Sequence, residues 1–253
     1  MSRKVLVWNE YIGERRPGPA RECYPDGIHE AIARGLRSSL PETTVETATL
    51  QDEDHGITDE ALGSVNVLVW WSHLGHEQVP ASVVETIHEH VLRGMGIILL
   101  HSSAESKIFK SLMGTTCSFR WRESGDRELV WVTDPSHPIT AGLPPVIELA
   151  EDETYSEYFD IPKPEAVVFI SSFSGGEVFR SGCTFTRGDG KVFFFSPGHE
   201  TFPIYHDELV QRILANAVAW ADAGRAQEPR RLFLQSPAGW YRSPGAPSAK
   251  DER

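Results

Sequence analysis

Two histidines three residues apart, His73 and His76, follow an apolar run ending in two tryptophans, VNVLVWWSHLGHEQV at 65–79. Two more stand in comparable places: His101 follows GIILL and precedes two serines, and His199 follows KVFFFSPG and precedes Glu200. Imidazole titrates near neutrality and, when neutral, binds divalent metals, so these residues can serve proton transfer or metal chemistry. Three chemistries are open. One is a single divalent ion, zinc or manganese, held by His73, His76 and a carboxylate, Glu153 or Glu10. A second is acid–base catalysis by His101 and His199. A third is attack by Ser102, activated by His199 and oriented by Glu200, although the sequence reads L-H-S-S-A where a serine elbow reads G-x-S-x-G. The His-x-x-His pair alone is a weak metal signal, since it lacks the HExxH pattern and has a glycine between its histidines.

A histidine at a strand end is more often a packed residue than a catalyst. Convergence of several such ends on one sheet edge is what gives the set weight. Asn9 and Glu10, which follow the first apolar run, join the candidates for substrate contact, as do Trp71, Lys107 and Tyr155. Trp71 offers the kind of aromatic surface that holds the apolar face of a sugar. Lys107 lies in the first turns of a helix starting beside His101, where Ser102 or Ser103 is expected to cap and the helix N-terminus to face an anionic oxygen; its plain alternative is a solvated lysine. His29, His88 and His90 fall in helical segments, face different directions and read as surface residues.

The elements that must position these groups follow from periodicity. RKVLVW (3–8), TVETATL (44–50), VNVLVWW (65–71) and GIILLH (96–101) read as strands. Between and after them come helices: one capped by Asp26 with Ile28, Ile32 and Leu36 on one face, a short one in ITDEALGSV, one from Pro80 to Gly94, and SAESKIFKSLMG. Apolar runs without alternation fit strands covered on both faces, and strand–helix units in series imply a doubly wound parallel sheet. From FRWRE (119–123) and RELVWVTD (127–134) through VIELAE, AVVFISSF, GEVFRSGCTFTRGDG and KVFFFSP the chain reads as β-rich, with a hairpin turn at 188–190. Whether these strands join the main sheet or form an insertion beside the pocket is open. DELVQRILANAVAWA (207–221) closes the fold as an amphipathic helix. In such sheets ligands bind beyond the carboxyl ends of the strands.

Composition sets limits. The 253 residues carry a net charge of -12, which argues against nucleic-acid binding and leaves small neutral or cationic substrates. Three cysteines without metal spacing and no N-terminal apolar segment point to a reduced, cytoplasmic protein. No apolar run is long enough to cross a bilayer. No nucleotide cofactor is expected, and a homo-oligomer is left open. The expected organisation is one α/β domain over 1–222 and a Pro-, Arg- and Ser-rich tail over 223–253, disordered or draped on the surface.

VLVWWSHLGHEQV, GIILLHSSAESKIFKSLMGTTCSFRWRE, HPIT, GGEVFRSGCTFTRGDGKVFFFSPGHETFPIYH and NAVAWA together resemble the trehalose-utilisation protein ThuA family, over roughly residues 3–221. The resemblance implies a class I glutamine amidotransferase-like, flavodoxin-like three-layer sandwich with a mostly parallel central sheet, from proteins associated with disaccharide and sugar-derivative catabolism. That amidotransferase fold carries a cysteine elbow and a His-x-Glu pair. Here the elbow reads His101-Ser102 and the late segment Gly-His199-Glu200, so thiol-dependent glutaminase chemistry is not expected. Where the family pattern reads E-E-M-Y-G-E-P-F, EDETYSEYF (151–159) keeps Glu153, Tyr155, Glu157 and Phe159, which brings Glu153 and Tyr155 into the candidate pocket. The function implied is isomerisation or epimerisation of a keto-glycoside, formed by a partner sugar dehydrogenase, through an enediolate. His101 or His199 would act as base and the other as acid, with a metal on His73, His76 and Glu153 or the helix N-terminus holding the oxyanion. The alternatives are a hydrolase, using Ser102 or metal-bound water, and a non-catalytic sugar-binding or regulatory module.

Overall fold

Apolar runs without alternation need cover on both faces, and the fold supplies it. The computed structural model describes residues 3–222, so the expected tail lies outside the described residues. The strands are β1 (Arg3–Asn9), β2 (Thr43–Thr49), β3 (Val67–Trp71), β4 (Gly96–Leu100), β5 (Arg120–Val132), β6 (Val146–Ser156), β7 (Ala166–Phe173), β8 (Val178–Arg187) and β9 (Gly190–Phe195). The helices are α1 (Pro19–Cys23), α2 (Ile28–Ser39), α3 (Asp59–Gly63), α4 (Ala81–Leu92), α5 (Lys107–Met113) and α6 (Glu208–Ala221). Along β3, Leu68 and Trp70 pack with the side chains of α4 and α5, while Val67, Val69 and Trp71 pack with those of α2 and α6. Strands β1, β4 and β9 divide their residues between the same two layers. Val5, Val67, Val69, Leu99 and Phe194 are accordingly fully buried. Burying a side chain of this size stabilises the fold by about 1.5–3 kcal/mol.

All nine strands form one sheet, in the order β2-β1-β3-β4-β9-β8-β7-β5-β6. The pairings from β2 through β9 are parallel, and those from β9 through β6 antiparallel. The sheet is therefore evenly mixed, which corrects the expectation of a mostly parallel one: the β-rich second half extends the main sheet. The two expected strands at 119–123 and 127–134 are one, because the register shift between Arg122 and Asp126, with Gly125 at φ +60°, is a bulge that bends β5 without ending it.

Helix starts differ from the sequence reading in their caps. Gly27, at φ +92°, precedes α2, and Asp26 pairs instead with Arg34. Pro80 stands just before α4. A 3-10 turn over His101–Glu105 precedes α5, whose cap is Ser106, accepting from the Phe109 N–H, so neither Ser102 nor Ser103 caps it. Two histidines read as surface residues are buried: His29 meets the Asn9 amide at 3.2 Å, and His90 meets Asp59 at 2.8 Å. Helical periodicity gives direction but not what lies opposite. No helix among the described residues is long and apolar enough to cross a membrane.

The β8–β9 hairpin turn docks on the end of α4, with the Asp189 N–H donating to the Leu92 carbonyl at 3.0 Å. A methyl group at Gly190 would overlap the carbonyls of Val91 and Met95. Gly190→Ala is expected to cost about 1–3 kcal/mol, read as a fall of several degrees in the thermal unfolding midpoint; an unchanged midpoint would contradict this packing.

Candidate functional site

Strands β3, β4 and β9 lie side by side, and their carboxyl ends bring three imidazoles together. Ring centroids are 5.9 Å apart for His73 and His101, 5.1 Å for His73 and His199, and 5.4 Å for His101 and His199, each pair roughly edge to face. Each loop has its own anchor. Glu10, after β1, accepts the backbone N–H groups of His73 (2.7 Å), Leu74 (2.7 Å) and Gly75 (2.8 Å). Asp152, on β6, accepts those of Gly198 (2.9 Å) and His199 (3.1 Å). Gly198 sits at φ +137°, where a side chain would overlap the Tyr205 hydroxyl. Trp71 donates its indole N–H to the Gly198 carbonyl at 3.0 Å.

His101 occupies the sharp turn after β4 at φ +54°, a conformation that costs a non-glycine residue on the order of 1 kcal/mol. Its ring stacks with Tyr155 at 5.1 Å and, farther off, with Trp71 at 6.5 Å. The ring is held by Nδ1–H donation to the Ser196 carbonyl at 2.9 Å, which turns Nε2 toward Glu153 Oε2 at 3.1 Å and the Tyr155 hydroxyl at 3.3 Å. His73 Nδ1 meets both Glu200 oxygens, at 2.8 and 3.0 Å. His199 Nδ1 meets the Thr201 hydroxyl at 2.8 Å, with Nε2 3.7 Å from Glu200.

Burial and charge separate the groups. Burial, reinforced by His101, pushes the His199 imidazolium down to about 4, so His199 is neutral at physiological pH. Burial also opposes charge on His73, but the Glu200 hydrogen bond and charge outweigh it and raise the pKa. Burial works against the Glu200 carboxylate, which the bond to His73 nevertheless pulls down to about 2. Glu153 is lowered likewise, His101 outweighing desolvation, and burial holds the Tyr155 phenol in its protonated form. The side chains of His101 and His199 are 1% and 4% exposed, that of His73 23%. His73 is thus the most open imidazole of the three.

Of the sequence candidates, His73, His101, His199, Glu153, Glu200, Tyr155 and Trp71 meet in this cluster. Five others do other work. His76 turns away into a space lined by Trp70, Val79, Val84 and Ile108, with neither ring nitrogen partnered, and burial pushes it down to about 4. Ser102 bonds the Tyr155 hydroxyl at 2.8 Å, while Glu200 orients His73, so the expected Ser102–His199–Glu200 relay is not assembled. Lys107 donates to the carbonyls of Glu77 (3.0 Å) and Val79 (3.1 Å), away from the cluster. Asn9 is fully buried, donating to Glu14 at 2.7 Å, and Glu10 is the strut described above. Asp152, Thr201 and the Ser196 carbonyl escaped the sequence reading. Alternation sets Asp152 on the face opposite Glu153 and Tyr155, and a backbone carbonyl has no sequence signal.

Two sets offer metal-ligand spacing, His73–His199–Glu200 and His101–Glu153–His199, each with one ligand atom per residue and all atoms within 4.8 Å. Neither contains His76, which corrects the set His73, His76 and Glu153.

Residues 4–221 match the family described as ThuA, trehalose utilisation. The chain belongs to that family. Its fold is similar to a ThuA-like protein of Parabacteroides merdae (15% identity, TM-score 0.64, covering 90% of this chain and 92% of that one). It is also similar to one of Bacteroides uniformis (16%, 0.62, 87% and 91%). A GMP synthase component of Thermoplasma acidophilum matches at 11% identity and TM-score 0.52, over 87% and 96%, which sets the α/β fold among glutamine amidotransferase-like structures. No curated protein sequence matches the chain. Membership of the family suggests a role in sugar metabolism.

The His73–Glu200 pair has a pH signature. His73, raised above 6.5, lends stability that is complete below 6.5 and is lost as pH rises through its folded value. Glu200, lowered from 4.5 to about 2, lends stability that is complete above 4.5 and is lost as pH falls toward 2. Glu200→Gln is expected to lower the His73 pKa in an NMR titration. The mutant's deficit in thermal stability should be largest between these limits and shrink below pH 4.5. An unmoved His73 pKa would contradict the pairing.

Proposed function

We propose that the protein is a sugar-catabolic enzyme that isomerises or epimerises a keto-glycoside through an enediolate. The observation that carries the reading is the His73–Glu200 pair at 2.8 Å, set edge-on to two deeper imidazoles at the carboxyl edge of the sheet. Glu200 holds the Nδ1–H of His73 and leaves Nε2 as the reactive nitrogen. With its pKa raised, His73 supplies both the basic and the acidic form near neutrality.

In this reading His73 Nε2 takes the proton from the carbon beside the carbonyl and returns it to the neighbouring carbon. The hydroxyl proton crosses between the two oxygens, which face Tyr155, His101 and His199. The phenol, kept protonated by burial, donates a hydrogen bond to the enediolate oxygen. This assigns proton transfer at carbon to His73, because His101 and His199 lie deeper and are held on the side of the oxygens. The rest of the glycoside would lie outside, over His73 and the exposed Leu74. Family membership in trehalose utilisation supports a disaccharide-derived substrate, supplied by a reaction that oxidises a sugar hydroxyl to a ketone. A hydrolase reading through Ser102 has less support, since its hydroxyl meets Tyr155 and not a histidine.

The test is turnover of a 3-keto disaccharide. The expected product has unchanged mass and a relocated carbonyl or inverted centre, and His73→Gln should lower kcat/KM by roughly 10²–10⁴. Ser102→Ala should retain activity within about tenfold, far above the loss expected for a nucleophile. Release of two monosaccharides, or a His73→Gln enzyme as active as the parent, would sink the isomerase reading.

A further inference from the structure

The deeper side of the cluster has more acceptors than donors. The Ser196 carbonyl, 2.9 Å from His101 Nδ1, can only accept, so Nδ1 carries a proton. In a neutral imidazole this leaves Nε2 as a lone pair, yet Nε2 faces a Glu153 carboxylate oxygen at 3.1 Å, which when ionised is also an acceptor alone. Two acceptors this close, on side chains 1% and 4% exposed, need a positive charge between them, a proton or a metal ion. The Tyr155 hydroxyl, 3.3 Å from Nε2, has a single proton to share among Nε2, Glu153 and Ser102.

The third side chain has the same preparation. His199 Nδ1 lies 2.8 Å from the Thr201 hydroxyl, which can accept its proton and leave Nε2 free. Both histidines thus have one ring nitrogen engaged by a backbone or hydroxyl oxygen, the outer support usual for imidazole metal ligands. Ligand atoms of His101, Glu153 and His199 lie within 4.8 Å of one another. In a tetrahedral zinc site, bonds of about 2.0–2.2 Å set ligand atoms roughly 3.3 Å apart, so a small contraction closes the set. The alternative set lacks the mismatch, since a neutral His73 satisfies Glu200 with its Nδ1–H.

We propose that His101, Glu153 and His199 bind one divalent transition ion of the zinc–manganese class, through Nε2 of each histidine and a Glu153 carboxylate oxygen. Two imidazoles and one carboxylate suit such an ion and leave a coordination position open. When bound it supplies Lewis acidity toward a substrate oxygen. That role rests on the keto-sugar reading, whereas binding itself does not.

The experiment uses the full chain, stripped with a chelator and titrated calorimetrically with ZnCl₂, MnCl₂ and MgCl₂ in the absence of any sugar. One equivalent of Zn²⁺ or Mn²⁺ is expected to bind, each more tightly than Mg²⁺. Glu153→Gln and His101→Gln should each weaken Zn²⁺ binding by at least roughly tenfold, while Glu200→Gln should stay within about threefold of the parent. Thermal unfolding checks each variant, and His199→Gln replaces any that fails to fold. The proposal is overturned if neither Zn²⁺ nor Mn²⁺ saturates, if the Glu153 and His101 variants bind as the parent does, or if Glu200→Gln abolishes binding. Because no substrate is present, failure here leaves the His73 turnover test standing, and failure of that test leaves the ion site standing.

Discussion

A carboxylate taken out of water must find donors, and two buried carboxylates here take theirs from the loops that carry the site. Glu10 collects three consecutive N–H groups over residues 73–75, and Asp152 collects those of Gly198 and His199, together with that of Glu153 at 2.8 Å. Leaving such a group unsatisfied costs several kcal/mol. The carboxylates therefore fix the path of two loops that have little regular structure of their own, and with it the direction of His73 and His199. His101 needs no such strut, because it is held by a carbonyl, by stacking on Tyr155 and by the turn of its own backbone.

Around that frame the groups sort by depth. His73, the most open, is paired with a carboxylate and kept near its protonated form, while His199, nearly enclosed, is kept neutral. Adjacent imidazoles whose environments push their pKa values apart are suited to different tasks. The proposed division follows: proton movement at the rim, polarisation of oxygen within. The second half of the sheet makes the inner side possible. The bulged β5 and its partner β6 carry Glu153 and Tyr155 back over the carboxyl ends of β4 and β9, although β6 is the far edge of the sheet.

Much of this was legible in the residues. The unbroken apolar runs announced strands covered on both sides, and the polar residues at their ends located the functional edge. The expected convergence of His73, His101 and His199 was correct because parallel neighbours in one sheet present their carboxyl ends together. The errors have a common origin in information that periodicity lacks. His29 and His90 read as surface residues because a helical pattern does not say which face another element covers. His76, three residues from His73, was drawn into the ligand set by spacing, whereas Glu10 turns the loop so that the two rings diverge.

The sequence by itself determined the order of elements, the two-sided core and the chemical kinds available at one edge, because these depend on local pattern and on side-chain type. Only the tertiary structure decided the partnerships: Glu200 with His73, Glu153 with His101, Asp152 beneath His199, and Lys107 and Ser102 elsewhere. Those pairs span up to 127 residues and hang on hydrogen bonds a few tenths of an ångström from being lost. Such contacts are set by strand order and loop direction, which no short window of sequence contains.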